Sequence, residues 1–317
     1  MQKRRLGNSE LEIMPLVLGG NVFGWTVDEP TAFGILDAFV EAGGNLIDTA
    51  DAYSRWVPGN RGGESETMIG KWLKQSNKRD RVLIATKVGS DMWPFGKGLS
   101  KTHIMRSVEE SLKRLQTNVI DLYQSHRDDP DTLMEETLET YGLLIKQGKV
   151  RAIGASNFSA ERLKASLSIS AEKGWPAYQS LQPKYNLYDR SDFEGSLDAL
   201  CRKSGLGVIP YSALASGFLT GKYRTRTDQS KSIRGQGMGI YLNERGIRIL
   251  DALDRVAKDC HSTPTSVALA WLMARPGITA PIASATSVEQ LKDLIAATRL
   301  ELGRSAIETL DKASAPP

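Results

Sequence analysis

The sequence predicts an α/β fold, a (β/α)8 TIM barrel preceded by an N-terminal β-hairpin. Two observations lead to this prediction. Eight short apolar runs alternate with longer segments of helical periodicity, and polar residues recur where the apolar runs end. A doubly wound open sheet can also be built from β–α repeats, so the number of elements alone leaves that alternative open. No stretch resembles a linker or a shift in composition, and we expect one domain over residues 1–317.

The strand predictions come first along the chain. A hairpin is expected from Arg4–Leu6 and Leu11–Ile13, joined by a turn at residues 7–9 with the sequence Gly-Asn-Ser. Short apolar runs then predict the eight barrel strands at Leu16–Leu18, Leu46–Ile47, Val82–Thr86, Ile120–Gln124, Val150–Gly154, Tyr178–Leu181, Gly207–Pro210 and Ala280–Ile282.

Helices are predicted between these strands from capping residues and apolar spacing. Pro30 stands at the expected first position of one helix, and Gly43 and Gly44 follow that helix as stop signals. Ser100 is the expected N-cap of another helix, whose apolar residues recur every three or four positions. The polar, glycine-bearing stretch 224–239 predicts a long loop between the seventh strand and its helix.

Composition excludes several classes of function. The formal net charge is +4 without any basic run, which argues against nucleic acid as a main partner. No apolar stretch approaches the roughly 18 residues of a membrane helix, and no signal peptide is expected. Cys201 and Cys260 lack metal-like spacing and suit a reducing, cytoplasmic environment. Three histidines offer no cluster for a metal, so no metal site is predicted.

Polar groups stand at the predicted carboxyl ends of successive strands. In a barrel of parallel strands these ends meet at one rim, where active sites are found. Each group alone has an ordinary structural explanation, such as a solvated lysine or a turn-forming aspartate. Their regular recurrence nevertheless predicts one site formed by Asp48, Tyr53, Lys87, His126, Ser156, Asn157, Gln182, Tyr211 and Ser212.

Four of these residues suit proton donation to a carbonyl oxygen. The pKa of a tyrosine lies near ~10, so Tyr53 keeps its proton at neutral pH, and a nearby ammonium such as Lys87 is expected to lower that pKa. Asp48 would keep Lys87 charged, and His126 would orient the carbonyl. The set contains no nucleophile and no metal, so the hydride has to come from a cofactor.

Several segments resemble the aldo-keto reductases. They are "NLIDTADAYS", "VLIATKVG", "LQPKYNLYDR", "PYSALASGFLTGKY" and the long stretch "IDLYQSHRDDPDTLMEETLETYGLLIKQGKVRAIGASNFSAERL". The pattern is most similar to the bacterial reductases and potassium-channel β subunits of that superfamily. The resemblance implies a barrel that binds NADPH in extended form without a Rossmann fold, and no G-x-G-x-x-G stands between a strand and a helix here.

The resemblance also implies roles for individual residues. The catalytic tetrad of the family carries over onto Asp48, Tyr53, Lys87 and His126. The nicotinamide carboxamide would be held by Ser156, Asn157 and Gln182, and its ring would stack on Tyr211. Backbone at Gly20 and Asn21 would approach the cofactor closely. The pyrophosphate would be wrapped by Ser212, Leu214, Ser216 and Lys222.

The sequence departs from many relatives at the adenosine end. The segment after the eighth strand offers Ser284, Thr286 and Gln290 but no arginine or lysine at the expected points, and Lys292 is expected to face solvent. Lys222 and Arg234 are then candidates for the 2′-phosphate, and for Arg234 a mobile loop arginine that contacts nothing is the equal alternative. NADPH (NADP) is the favoured cofactor, while use of NADH (NAD) stays open.

Candidate substrate residues lie in loops on the same rim. Trp25, Trp56 and Trp93 could stack on a ring, although packing against the outer surface of the barrel is the better expectation for any one of them. Arg127 could bind a phosphate or carboxylate, with an ion pair to Asp128 or Asp129 as the favoured alternative.

The leading functional hypothesis is an NAD(P)H-dependent carbonyl reductase that acts reversibly on aldehydes or ketones. The alternative is a cofactor-binding regulatory module, similar to the channel β subunits, with little turnover. A phosphosugar isomerase ranks last because no glutamate base is suitably placed. The partner is expected to be a small molecule, and the sequence gives no indication of the subunit count.

Overall fold

The fold was analysed in a computed structural model that describes residues 2–92 and 94–316. In chain order the strands are β1 (Arg4–Arg5), β2 (Glu12–Ile13), β3 (Val17–Gly19), β4 (Leu46–Asp48), β5 (Leu83–Val88), β6 (Ile120–Ser125), β7 (Val150–Ser156), β8 (Ser180–Gln182), β9 (Gly207–Val208) and β10 (Ile282–Ala283). β1 and β2 form the antiparallel hairpin. The other eight strands form one parallel sheet in the order β10-β3-β4-β5-β6-β7-β8-β9.

The two ends of this sheet meet each other. The amide of Thr279 donates to the carbonyl of Val208 at 2.8 Å, and the amide of Ile282 donates to the carbonyl of Pro210 at 2.9 Å. The strands therefore follow their chain order around a closed curve, without the reversal of order that characterises an open doubly wound sheet. The predicted (β/α)8 barrel with its N-terminal hairpin is confirmed, with strand ends shifted by one or two residues.

The helices cover the outside of the sheet. They are α1 (Glu29–Glu41), α2 (Glu64–Ser76), α3 (Lys101–Leu115), α4 (Met134–Lys146), α5 (Ala160–Lys173), α6 (Ser196–Lys203), α7 (Glu244–Asp259), α8 (Pro264–Met273), α9 (Val288–Ala297) and α10 (Arg304–Ser314). The predicted cap is confirmed, since Ser100 accepts a hydrogen bond from the amide of His103. Pro30 occupies the second position of α1, after the N-cap Asp28.

Two features of the helices differ from the prediction. The stretch expected as a long loop contains the 3₁₀ helix Arg226–Lys231, which begins with a capping box at Thr225 and Asp228. It also contains most of a second 3₁₀ helix, Ile233–Ile240, which has no side-chain cap. In addition, both α7 and α8 lie between β9 and β10, so the seventh β–α unit of the barrel has one helix more than a simple repeat.

The alternation of side chains along the strands creates two apolar layers. Leu46, Ala85, Leu122 and Ala152 face the barrel axis, where they pack with residues of the hairpin, including Leu6. Their neighbours Ile47, Ile84, Tyr123 and Ile153 belong to the larger cluster beneath the helices. The hairpin therefore fills the bottom of the barrel, and the next inward-facing position on each strand lies one layer nearer the carboxyl-terminal rim.

Candidate functional site

The candidate site begins in that next layer. Asp48 stands two residues after Leu46 on β4, and Lys87 stands two residues after Ala85 on β5. Because the side-chain period of a strand is two, both side chains point to the barrel axis. Their exposed fractions are 1% for Asp48 and 0% for Lys87. Charged groups this deeply buried are stable only when they are paired and hydrogen-bonded.

Lys87 is held by three acceptors. Its Nζ donates to Asp48 Oδ2 at 2.6 Å, to the carbonyl of Thr49 at 2.8 Å and to the phenol oxygen of Tyr53 at 2.7 Å. These contacts use the three protons of an ammonium group. The Tyr53 hydroxyl lies 3.4 Å from Asp48 Oδ2, a long contact. The proton of the phenol is therefore available on the side of Tyr53 that Lys87 does not occupy.

Burial dominates the electrostatics of this group. It raises the pKa of Tyr53 well above 10, and the nearby Asp48 carboxylate acts in the same direction. The net shift of the Tyr53 pKa is therefore opposite to the predicted lowering, because loss of solvent and the carboxylate outweigh the effect of a nearby ammonium. Burial also lowers the pKa of Lys87, while Asp48 opposes that shift.

His126 follows β6 and approaches the same point. Its ring centroid lies 6.0 Å from that of Tyr53, in an edge-to-face arrangement. Burial lowers the pKa of His126 well below 6.5, and the positive charges of Lys87 and Arg127 lower it further. The imidazole is therefore neutral at physiological pH. Its Nδ1 lies 2.9 Å from Ser90 Oγ.

Two glutamines complete the polar layer. Gln182 donates from Nε2 to Asp48 Oδ1 at 2.9 Å and to Gln124 Oε1 at 3.1 Å, and Gln124 also donates to Asp48 Oδ1 at 3.1 Å. Gln182, predicted to hold a carboxamide, thus uses its amide nitrogen to hold the carboxylate. The sequence analysis missed Gln124. Gln124 lies on β6, two residues before His126, and this spacing could have indicated that its side chain also points to the barrel axis.

Ser156, Asn157 and Tyr211 form a hydrogen-bonded cluster beside His126. Asn157 donates to the carbonyl of His126 at 2.9 Å and to Ser156 Oγ at 3.1 Å. Tyr211 donates its phenol proton to Asn157 Oδ1 at 2.8 Å, and Ser156 donates to the carbonyl of Gln182 at 2.8 Å. These contacts fix the side chains of β7 and of the segment after β9 relative to one another.

A cavity of about 1000 Å³ opens from the polar layer and runs along the barrel rim. Asp48 and Tyr53 line one part of it. Its volume is at the upper end of the usual range for small-molecule sites. Ten of the predicted cofactor residues line its wall, namely Asn21, Tyr211, Ser212, Leu214, Ser216, Lys222, Arg234, Ser284, Thr286 and Gln290.

The segment after β10 faces the loop after β3. Ser284 donates to Asn21 Oδ1 at 2.6 Å. The backbone amide and the hydroxyl of Thr286 both donate to Gln290 Oε1 at 3.0 Å. Lys292 is exposed, as predicted. Gly20 does not line the cavity, and an added Cβ there would lie 2.8 Å from Ser65 Oγ. The close packing of α2 therefore explains this glycine better than access for a ligand.

The loop after β9 contains a run of unusual backbone conformations. Ser212, Ala215 and Ser216 have φ values of 54°, 47° and 57°, in the left-handed region. Non-glycine residues in this region cost of order 1 kcal/mol each and cluster at ligand sites. The exposed Lys222 lies with its Nζ 5.0 Å from the ring centroid of Tyr223. This loop forms the cavity wall opposite β10.

Two of the predicted tryptophans stand at the mouth of the cavity. Trp25 packs edge-to-face against Trp56 at 5.5 Å between ring centroids, and Trp56 lies 6.2 Å from Tyr53. Trp25 lines the cavity, and Trp56 is half exposed. The guanidinium of Arg234 lies 4.9 Å from the centroid of Trp25. Trp93 lies outside the described residues.

The predicted pairing of Arg127 with Asp128 or Asp129 is wrong. Asp128 instead accepts two hydrogen bonds from Arg162, at 2.7 and 2.9 Å. Asp129 accepts the amide of Leu99 at 2.7 Å. Within residues 2–92 and 94–316 no carboxylate forms an ion pair with Arg127, whose side chain is exposed directly after His126. Its positive charge therefore contributes to the potential at the mouth.

The described part of the chain, residues 2–92 and 94–316, contains neither a candidate metal site nor a candidate membrane span. No three His, Cys, Asp or Glu side chains there are arranged to hold a metal ion. Neither is any helix in this part of the chain long and apolar enough to cross a membrane.

Comparison with known proteins identifies the family. Residues 15–315 match the model of the Aldo/keto reductase family. The chain is 35% identical to the uncharacterized oxidoreductase YrpG of Bacillus subtilis (strain 168), covering 98% of this chain and 95% of that protein. It is 32% identical to the L-glyceraldehyde 3-phosphate reductase of Escherichia coli (strain K12), covering 94% and 87%. Identity to the norsolorinic acid reductase of Aspergillus flavus is 30%, covering 96% and 78%. The chain therefore belongs to the aldo/keto reductase family of oxidoreductases.

Proposed function

We propose that this protein is an NADPH-dependent carbonyl reductase in which Tyr53 donates the proton to the carbonyl oxygen. The observation that carries the proposal is the contact of Lys87 Nζ with the Tyr53 phenol oxygen at 2.7 Å. Because the ammonium donates into this oxygen, the phenol proton is directed away from Lys87. A carbonyl oxygen on that side receives the proton as it becomes an alkoxide.

The surrounding residues keep this donor ready. Asp48 accepts the ammonium at 2.6 Å and is itself held by Gln124 and Gln182, so the lysine is anchored in a charged form. The raised pKa of Tyr53 keeps the phenol protonated throughout the neutral range. As negative charge develops on the substrate oxygen, the adjacent ammonium stabilises it.

The cavity supports a dinucleotide as the hydride source. Its wall runs from Asp48 and Tyr53 to Ser284 and Gln290, so a long ligand would pass from the proton donor to the other end. When bound, NADPH supplies the hydride to the carbonyl carbon. Its carboxamide would be held by Ser156, Asn157 and Gln182, its ring would lie on Tyr211, and its pyrophosphate would be held by Ser212, Leu214, Ser216 and Lys222. The remaining contacts are proposed for Asn21, Arg234, Ser284, Thr286 and Gln290.

The substrate would enter beside the packed pair Trp25 and Trp56. Their rings offer flat apolar surfaces close to Tyr53, which suits an aldehyde or ketone carrying an aromatic or other planar group. Arg127 would attract an anionic group on the substrate. Two relatives are named as reductases, of L-glyceraldehyde 3-phosphate and of norsolorinic acid, and their names support the reductase proposal.

The proposal is tested with Tyr53→Phe. Oxidation of NADPH would be followed at its absorbance band with a panel of aromatic and aliphatic aldehydes. We expect kcat to fall about 100-fold or more, because proton transfer from a positioned acid contributes on that order. Binding of NADPH, measured by fluorescence titration, should stay near that of the parent protein, since the lost group acts in the transition state.

Tyr123→Phe is the matched control. The Tyr123 hydroxyl is buried and has no hydrogen-bond partner among the described residues, so its removal should leave both turnover and NADPH binding unchanged. Turnover of Tyr53→Phe at the parent level would exclude Tyr53 as the acid. A parent protein no faster than Tyr53→Phe with every aldehyde would exclude the reductase function.

A further inference from the structure

Ser90 contacts the imidazole of His126 and has no role in the proton transfer proposed above. It lies in the loop after β5, and its hydroxyl is buried, with 8% of the residue exposed. Its Oγ lies 2.9 Å from Nδ1 of His126. Across residues 2–92 and 94–316, no other group hydrogen-bonds to the imidazole of His126. Among these described residues, Ser90 is therefore the one group whose hydrogen bond can determine which nitrogen of the His126 ring carries the proton.

A neutral imidazole has one N–H and one lone pair, and the two nitrogens exchange these roles between tautomers. If Ser90 donates to Nδ1, the ring proton lies on Nε2. If instead Nδ1 donates to Ser90, Nε2 presents a lone pair. Only the first arrangement lets His126 donate a hydrogen bond to a carbonyl oxygen beside Tyr53, whereas the second would repel that oxygen.

Three observations favour donation by Ser90. The imidazole is neutral, because burial and the charges of Lys87 and Arg127 oppose protonation. The Ser90 hydroxyl has no hydrogen-bond partner other than His126 Nδ1 among the described residues, and a buried hydroxyl proton without an acceptor would be unfavourable. The cationic neighbour Lys87 is already committed to three acceptors.

We propose that Ser90 is a positioning residue that donates its hydroxyl proton to Nδ1 of His126 and thereby keeps the ring proton on Nε2, facing the substrate carbonyl. Ser90 itself does not touch the substrate. The assignment of the tautomer stands on the Ser90–His126 geometry alone, and its effect on turnover rests on the proposed carbonyl reductase function. Two measurements separate these parts.

The first measurement is the ¹⁵N NMR spectrum of the histidine side chains in the full-length protein at neutral pH. The chain has three histidines, and His126→Gln would assign the signals of His126. We expect Nδ1 of His126 to be unprotonated and Nε2 to be protonated. In Ser90→Ala the Nδ1 resonance should move, because it loses its donor and the second tautomer becomes populated. A protonated Nδ1 in the parent protein would overturn the proposal.

The second measurement is turnover of an aldehyde with NADPH. Ser90→Ala should lower kcat about threefold to tenfold, the factor that corresponds to one hydrogen bond to a neutral partner, with little change in KM. Ser90→Thr keeps a hydroxyl at the same position and should restore both kcat and the Nδ1 resonance. A loss of kcat with unchanged His126 resonances would assign Ser90 a merely structural role and overturn the proposal.

Ser107→Ala provides a matched control. Ser107 is as buried as Ser90, at 8%, and its Oγ lies 3.5 Å from Nε2 of His103 on α3. Its removal should alter the signals of His103 alone and leave kcat unchanged. If Ser90→Ala changed the tautomer of His126 without changing kcat, the tautomer assignment would stand and the proposed role of His126 in the reaction would fall.

Discussion

Asp51 is buried without a partner, and its replacement by asparagine should change how stability depends on pH. Its side chain is 3% exposed, and neither carboxylate oxygen has a hydrogen-bond partner among the described residues. Burial raises the pKa of Asp51 to about 8 from 3.8, and the charge of Glu66 adds to the rise. The charge of Arg114, the backbone amide of Ala52 and the charge of Lys87 oppose it. The folded protein therefore holds a proton on Asp51 at neutral pH, whereas the unfolded chain does not.

The magnitude follows from proton linkage. The pKa of Asp51 is raised in the folded protein, so its stabilising contribution to the free energy of unfolding is complete below about pH 4 and is lost as pH rises towards 8. Between those values the folded state binds one proton more than the unfolded state, so the free energy of unfolding falls by ~1.4 kcal/mol per pH unit. From pH 5 to pH 7 this amounts to ~3 kcal/mol. An asparagine side chain does not titrate, so the variant Asp51→Asn should lack this part of the slope.

Urea unfolding at several pH values between 5 and 7 would measure the effect. Other groups titrate alike in both proteins, so the difference between the parent and Asp51→Asn isolates Asp51. We expect this difference to shift by ~3 kcal/mol in favour of the variant as pH rises from 5 to 7. Asp259→Asn, at an exposed position at the end of α7, should show no such shift.

A difference that does not vary with pH would refute the reasoning. It would mean that Asp51 is ionised in the folded protein, held by groups that compensate its burial. The same result would remove the physical argument that this buried acid is neutral beside Lys87.

Three further predictions concern the site. Lys87→Met should lower kcat about 100-fold or more and leave Asp48 unpaired, which should cost ~3–5 kcal/mol of stability. Urea unfolding should show that the double variant with Asp48→Asn recovers much of that stability, while its kcat stays low. Full activity of Lys87→Met would contradict the proposed proton donor. Arg234→Ala should weaken the binding of NADPH more than that of NADH in fluorescence titrations. Arg226→Ala in the same loop should affect the binding of neither cofactor. Equal weakening of binding for both cofactors would exclude a contact of Arg234 with the 2′-phosphate. Arg127→Glu should reduce kcat/KM for 4-carboxybenzaldehyde roughly tenfold relative to 4-methylbenzaldehyde, and an unchanged ratio would remove Arg127 from the substrate site.

Most of the fold could be predicted because each strand carries its own signal. Apolar runs such as Val82–Thr86, followed by a helical pattern, gave both the element and its direction. The period of two along a strand also placed Asp48 and Lys87 on the barrel axis. The two 3₁₀ helices that begin inside 224–239 were missed because such short helices leave little apolar periodicity in the sequence.

The sequence predicted where a polar residue lies more readily than which group it contacts. Arg127 stands next to two aspartates in the sequence, yet Asp128 is taken by Arg162 from α5, which lies 34 residues further on. The pKa of Tyr53 was misjudged for a similar reason. The sequence shows a lysine within reach, but only the packing of the barrel shows that both groups are fully removed from water.

The sequence by itself determined the barrel, the rim to which the polar residues belong and the family, since all three depend on local periodicity and on the order of elements. Tertiary structure decided which groups touch. Lys87, Gln124 and Gln182 come from different strands and share the carboxylate of Asp48. The contact of Ser90 with His126 joins two loops. The lack of a hydrogen-bond partner for Asp51 likewise depends on how distant parts of the chain pack around it. Such contacts depend on distances across the barrel, which the spacing of residues along the chain does not fix.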